Sequence, residues 1–165
     1  MVRKKQIEPL EVHKAVENLE IKEGEIVALV GGGGKSTLLR ALGELHGRGT
    51  ILTTTTKMGS DQTGEANLLI SPSEKELADA LGGNAPVMIW DRVKGEKAFG
   101  VDPSLPKGWL PEATRVIVEA TAPIRTRRIP LTTLQIEMNR SSSLSNSLFD
   151  RLKTWLLVRE NLMPY

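Results

Sequence analysis

Lys35, Ser36 and Thr37 stand directly behind four consecutive glycines, Gly31, Gly32, Gly33 and Gly34, which interrupt the apolar run Ile26–Val30. That order suits a phosphate cradle. Glycines let the backbone take conformations closed to residues with a Cβ and turn successive N–H groups toward one point. A helix opening at Lys35 adds its N-terminal amides and dipole, which favour an anion. The Lys35 ammonium can reach β- and γ-phosphate oxygens, and a hydroxyl at Ser36 or Thr37 is placed to ligate Mg²⁺. The implied ligands are ATP or GTP with Mg²⁺. The pattern G-x-x-x-x-G-K-[ST] is incomplete, because Leu29 stands where its first glycine belongs and the loop is about two residues short. The bland alternative is a glycine-rich strand-to-helix turn that binds nothing.

Two further segments offer chemistry. Thr50–Thr56 reads as a strand, since β-branched residues suit a pleated surface, and it runs out in Thr53, Thr54, Thr55, Thr56 and Lys57. Ligands of open parallel sheets sit at the carboxyl ends of the strands, which makes these residues a candidate second wall. The competing reading is a β-forming run with a solvated lysine. Arg115–Ala120 (RVIVEA) is another buried apolar run, and Glu119 ends it. A carboxylate in that place can hold Mg²⁺ through water or orient an attacking water; alternatively, it is only a strand-end acid. Lys35 and Glu119 are the candidate catalytic groups, and Ser36 and Glu119 the candidate metal ligands.

The elements that must position these groups follow from periodicity. Ile26–Val30 lacks polar alternation, as a strand buried on both faces does. The next helix carries Leu38, Ala41, Leu42 and Leu45 on one face, and the run 46–49 (HGRG) supplies its C-terminal glycines. With the following strand this makes a βαβ unit and therefore a parallel α/β sheet. Upstream, residues 9–19 have helical spacing. Downstream, Asn67–Ile70 is a short strand, Ser73 and Glu76 form a capping box before a helix over Glu74–Leu81, and Val87–Trp90 is a strand. Lys94-Gly95-Glu96 turns the chain back into 98–101. Trp90 and Trp109 read as packing residues, and 59–65 as a polar loop.

Composition narrows the function classes. The 165 residues amount to one domain. There is no cysteine, hence no disulfide, thiolate nucleophile or Cys-based zinc site. His13 and His46 lack ligand spacing and read as solvated. The basic N-terminal stretch is followed by charged residues instead of an apolar core, so neither a signal peptide nor a membrane span is expected and the expected address is the cytoplasm. Residues 1–120 hold 15 Lys+Arg against 17 Asp+Glu, a net −2, which gives no electrostatic case for nucleic acid.

VGGGGKST at 30–37, ILTTTTKM at 51–58 and VIVEA at 116–120 resemble, in this order and spacing, the YqeC family. Its members are described as accessory proteins of selenium-dependent molybdenum hydroxylases. The family pattern has a V-G-x-G-G-K-T-[ST] loop after the first strand, a T-T-T-T-K segment ending the second, and V-E-A-D-G ahead of K-A-P. The shorter loop is the rule in that pattern. The stretch KGEKAFGVDPSLPKGWL is also similar to the family's lysine- and glycine-bearing hairpin. The resemblance covers residues 22–120. It implies a P-loop-like α/β nucleotide-binding fold with flanking helices, and a role in maturing a selenium-dependent molybdenum hydroxylase, with that enzyme or its maturation factors as partners.

The pattern breaks after Ala120, where Thr121-Ala122-Pro123 replaces the Asp-Gly of the family. All 15 glycines lie in residues 1–120, and the arginine-to-lysine ratio moves from 5:10 there to 6:1 in 121–165. Average usage would place about three glycines in such a tail, and 141–147 (SSSLSNS) is low in complexity. A single lost nucleotide turns codons for Ala-Asp-Gly-Ala into codons for Ala-Thr-Ala-Pro, the residues at 120–123. The expectation is therefore a nucleotide-binding domain over 1–120, incomplete, and an out-of-frame tail over 121–165. The last strands of the sheet would be missing and an edge left unpaired. The alternative is a genuine tail whose residues 148–162 form an amphipathic helix. Three functions stand at this point: an NTP-binding accessory protein and candidate P-loop NTPase, a non-catalytic truncated remnant or interaction module, and a small-molecule kinase whose acceptor side is the 57–65 loop.

Overall fold

A computed structural model describes residues 16, 19, 21–30, 34–120, 132–134 and 156–161. Among these, ten strands form two sheets. In chain order the elements are β1 (Glu25–Val30), α1 (Lys35–His46), β2 (Thr50–Thr54), β3 (Lys57–Gly59), β4 (Asn67–Ile70), α2 (Glu74–Leu81), β5 (Val87–Trp90), β6 (Arg92–Lys94), β7 (Lys97–Phe99), the single turn α3 (Leu105–Gly108), β8 (Arg115–Ala120), β9 (Thr132–Leu134) and β10 (Leu156–Asn161). The large sheet runs β4-β5-β2-β8-β1-β10-β9. Its first five strands are parallel, as an α/β chain requires. The small sheet, β3-β7-β6, is antiparallel.

Apolar runs without alternation become the central strands because both faces are covered. Every residue of β1, β2 and β5 is buried. One face packs Val27, Leu29, Leu52, Met88 and Ile117 under α1 and Val16. The other packs Ile51, Ile89, Val116 and Val118 under α2 and the 101–113 segment. Complete burial of one such aliphatic side chain contributes about 1.5–3 kcal/mol. Trp90 is fully buried and its indole N–H donates to Met58 Sδ (3.2 Å), while Trp109 packs at the margin of the second layer. Both are packing residues.

The helices follow their sequence signals with one difference. Ser73 caps α2: its Oγ accepts from Glu76 N (3.3 Å), and Glu76 Oε2 accepts from Ser73 N (2.8 Å) and Ser73 Oγ (2.7 Å). The backbone N–H of Ser73, then its hydroxyl, lower the Glu76 pKa. In α1 the buried face is Leu38, Leu39, Ala41, Leu42 and Gly43, whereas Leu45 is 40% exposed. The helix packs closely on β2 at Gly43, where a Cβ would run into the Leu52 side chain. Leu45 lies beyond that point and faces outward.

Three other expectations change. The predicted strand over Thr50–Thr56 divides: β2 stops at Thr54, and β3 starts at Lys57 in the other sheet. His46 is half-buried, and its Nε2 has no hydrogen-bond partner among the described residues. Burial first, then the Arg115 charge, lower its pKa. The edge beside β1, expected to be open with the last strands missing, is paired. Strand β10 lies antiparallel along all six residues of β1, and β9 follows β10. An edge strand presents a row of unsatisfied N–H and C=O groups that favours any extended segment able to reach it. The helical alternative over 148–162 accordingly gives way to strand at 156–161. Most of the predicted 9–19 helix lies outside the described residues; Val16 is helical and fully buried.

Candidate functional site

Parallel registry decides what meets at the carboxyl end of the sheet. Strand β8 lies between β1 and β2, so Glu119 is opposite Leu29 on one side and Thr54 on the other. Helix α1 starts just after β1 and returns over the same edge. Its first turn meets the acid: Ser36 Oγ donates to Glu119 Oε2 at 2.8 Å. The two residues are 83 positions apart, and the carboxylate-bearing residue is only 6% exposed.

The backbone of Glu119 is fixed as firmly as its side chain. Its carbonyl accepts from Thr54 Oγ1 (3.2 Å) and from Thr55 N (3.0 Å). Thr54 Oγ1 in turn accepts from Thr56 N (3.1 Å) and lies 3.1 Å from Thr56 Oγ1. With the single Thr54 proton directed at Glu119, Thr56 is the donor in that hydroxyl pair. The threonine run thus ends in a closed hydrogen-bond set, which explains why the strand stops at Thr54.

Gly100 lets the small sheet close over this turn. Its N–H donates to Thr56 O (2.7 Å), and Val101 N donates to Thr54 O (2.8 Å). A Cβ on Gly100 would run into Thr54 O and lie 2.5 Å from Thr56 N and 2.6 Å from Thr55 C. These are backbone atoms that cannot rotate away.

Gly34 precedes α1 with φ 73° and ψ 4°, a left-handed conformation that glycine adopts without a Cβ penalty. It caps the helix without a side-chain hydrogen bond, and the first turn holds no acidic residue. The dipole at that end is therefore not offset by a carboxylate on the helix itself. Lys35 opens the helix, half-buried, and Thr37 is exposed. Gly31, Gly32 and Gly33 lie outside the described residues.

Of the residues singled out from sequence, the structure brings together Ser36, Glu119, Thr55 and Thr56, with Gly34, Lys35 and Thr37 at the adjoining helix start. Lys57 is placed differently. It is exposed in β3, and its Nζ sits 5.0 Å from the centroid of the Phe99 ring. Thr54, at the end of the predicted second wall, is bonded to Glu119, and Gly100 was not among the predicted site residues. A lone glycine after a hairpin gives no hint of the backbone it touches.

The donor set suits a hard cation. A serine hydroxyl and a buried carboxylate are oxygen ligands of the type Mg²⁺ prefers, and the remaining positions of its octahedron are commonly filled by water and phosphate. The described residues contain no cluster of three or more His, Cys, Asp or Glu able to hold a metal by themselves. No helix among them is long and apolar enough to cross a membrane.

Fold and site together define an α/β protein with five parallel strands and a polar constellation at their carboxyl ends, where a helix begins. A family model described as YqeC protein matches residues 27–150. The chain belongs to the YqeC family, and the match extends past Ala120, where the composition changes. Neither a curated protein nor a solved structure matches the chain.

Proposed function

We propose that this chain binds a nucleoside triphosphate, ATP or GTP, with Mg²⁺ at the carboxyl end of its parallel sheet, in a P-loop-like arrangement. The observation that carries the reading is the 2.8 Å hydrogen bond from Ser36 Oγ to Glu119 Oε2. It joins the first turn of the helix behind the glycines to the acid that ends the neighbouring strand. In this reading Gly31–Gly34 and the α1 amides surround the phosphates, Lys35 neutralises them, and Ser36 takes the metal with Glu119 on its water. Bound Mg²⁺ would supply charge neutralisation at the phosphates.

Family membership supports the wider role: a cytoplasmic accessory protein in the maturation of a selenium-dependent molybdenum hydroxylase. In this reading Lys35 and Glu119 are the candidate catalytic groups for hydrolysis or phosphoryl transfer. A second reading has its own observation. Thr121 stands where the family pattern has aspartate after Glu119-Ala120, leaving the metal one carboxylate short, so binding without turnover is the expected behaviour of a non-catalytic member.

Isothermal titration of ATP and GTP, with and without Mg²⁺, into the wild type and Lys35→Ala tests both. The first reading expects Mg²⁺-strengthened binding that Lys35→Ala weakens about a hundredfold, the equivalent of about 2.7 kcal/mol. Phosphate release by the wild type separates turnover from binding alone. A folded wild type with no affinity for either nucleotide at millimolar levels ends the proposal.

A further inference from the structure

The small sheet carries a charged face that the nucleotide reading does not use. Cross-strand registry puts Lys57, Phe99 and Arg92 in one row and Gly59, Lys97 and Lys94 in the next. Residues two apart on a strand share a face, so four cations surround one aromatic ring on the same side. The intervening row, Met58, Ala98 and Val93, belongs to the opposite side, where Met58 and Ala98 are buried in the core. Lys57, Arg92, Lys94 and Lys97 are all exposed. Lys57 Nζ and Arg92 Cζ stand 5.0 and 4.6 Å from the Phe99 centroid.

This concentration of charge costs the free protein stability. Lys94 and Lys97 are direct cross-strand partners, and like charges directly opposite each other are destabilising. The two acids of the hairpin lie outside its strands: Asp91 just before β6, paired with Arg92 at 2.6 Å, and Glu96 in the turn. Gly95, with φ 59°, takes the first turn position and keeps the hairpin tight. The rows are therefore held in place and not free to spread apart.

We infer that this face docks an acidic, extended segment of a partner protein. Its two rows lie about 7 Å apart along the strands, the spacing of alternate side chains in an extended chain, so carboxylates at every second residue would meet both rows. The ring between Lys57 and Arg92 offers an apolar centre to such a segment. A polynucleotide fits less well: affinity for its backbone grows with the number of phosphates neutralised, this face has four cations, of which Arg92 is paired with Asp91, and residues 1–120 sum to −2. The inference does not depend on nucleotide binding.

Fluorescence anisotropy at low ionic strength tests it on the full chain, using a fluorescein-labelled peptide of alternating glutamate and serine and a labelled thymidine oligonucleotide of matching charge. Lys94→Glu/Lys97→Glu and the milder Lys94→Gln/Lys97→Gln are compared with a control of equal charge change at exposed sites elsewhere, Arg48→Glu/Lys75→Glu. Far-UV circular dichroism verifies the fold of each. The expected result is peptide binding that the face reversal weakens about tenfold or more and the control less than about twofold, with the glutamine pair intermediate. Equal weakening by face and control variants, tighter binding of the oligonucleotide through the same lysines, or no peptide binding by the wild type would overturn the proposal.

Discussion

The two ends of the parallel sheet hold buried polar groups of the same kinds but connect them differently. At the amino end, Glu25 is 3% exposed and accepts from Lys22 N at 3.0 Å, a contact across three residues. Arg115 reaches Thr50 Oγ1 (3.5 Å) and Glu23 Oε1 (4.0 Å), and its Nε has no partner among the described residues. His46 is nearby enough for the Arg115 charge to lower its pKa. These contacts tie loops to strand starts. At the carboxyl end, Glu119 is bonded by Ser36 from a helix and by Thr54 at the end of β2 and Thr55 just after it, across 83 and about 65 positions. An acid held by a backbone N–H three residues away ties down local structure. An acid on which two distant elements converge, beside a helix start that Gly34 caps without a side-chain hydrogen bond, has the arrangement a ligand can use.

Substitutions at matched positions should separate the two ends. The largest stability effect is expected at Gly100, where an added Cβ would force the backbone of Thr54–Thr56 to move. Gly100→Ala should cost about 1–3 kcal/mol in chemical denaturation, the range typical of overpacking. At Gly108 a Cβ meets nothing within 4 Å, and Gly108→Ala should stay within about 0.5 kcal/mol. Comparable losses at both positions would remove Gly100 from the account.

The acids should part next. Glu119→Gln keeps the size and removes the charge, and should weaken the Mg²⁺-dependent part of nucleotide affinity about tenfold, or 1.4 kcal/mol, as read by titration calorimetry. Glu25→Gln should leave that affinity unchanged and lower stability by about 1 kcal/mol, the scale of one weakened buried hydrogen bond. An equal effect of both on affinity would mean that the ends do not differ in function.

The smallest effect is a pH dependence confined to the amino end. The folded His46 pKa lies below its unfolded value of about 6.5, so the unfolded chain binds more protons in the interval between them. Stability therefore falls as pH drops below about 6.5 and is fully present above it. In His46→Gln that part of the slope should vanish from denaturation curves taken over the acid range. Nucleotide affinity should not change with the substitution.

Much of this architecture was legible in the chain, for identifiable reasons. Asn67–Ile70, Val87–Trp90 and Arg115–Ala120 have the predicted bounds because each apolar run is bracketed by turn residues or charges. The capping box at Ser73 and Glu76 is a local interaction, and local interactions are visible in sequence. Glu119 could be singled out because a carboxylate that ends a buried strand beside a glycine loop is placed to hold Mg²⁺ through water or orient an attacking water. Its partner, Ser36, was named for a different task, that of metal ligand. What escaped notice depends on contacts across the fold. The bond that Thr54 makes to Glu119 cannot be told from its neighbours' until β8 is beside it. The division of 50–59 between two sheets needs β7, and the outward turn of Leu45 needs Gly43 against Leu52. The pairing of 156–161 with β1 depends on an open edge that no local pattern in the tail announces.

The central claim is that Ser36 and Glu119 act as one unit on a Mg²⁺-bound nucleotide. A double-mutant cycle of Mg·ATP and Mg·GTP affinities over wild type, Ser36→Ala, Glu119→Gln and the double variant measures that directly. The account predicts weakened binding in each single variant and a coupling energy of at least about 0.5 kcal/mol, because the second substitution removes little that the first has left. Strictly additive losses, or affinities that none of the substitutions changes, would contradict it.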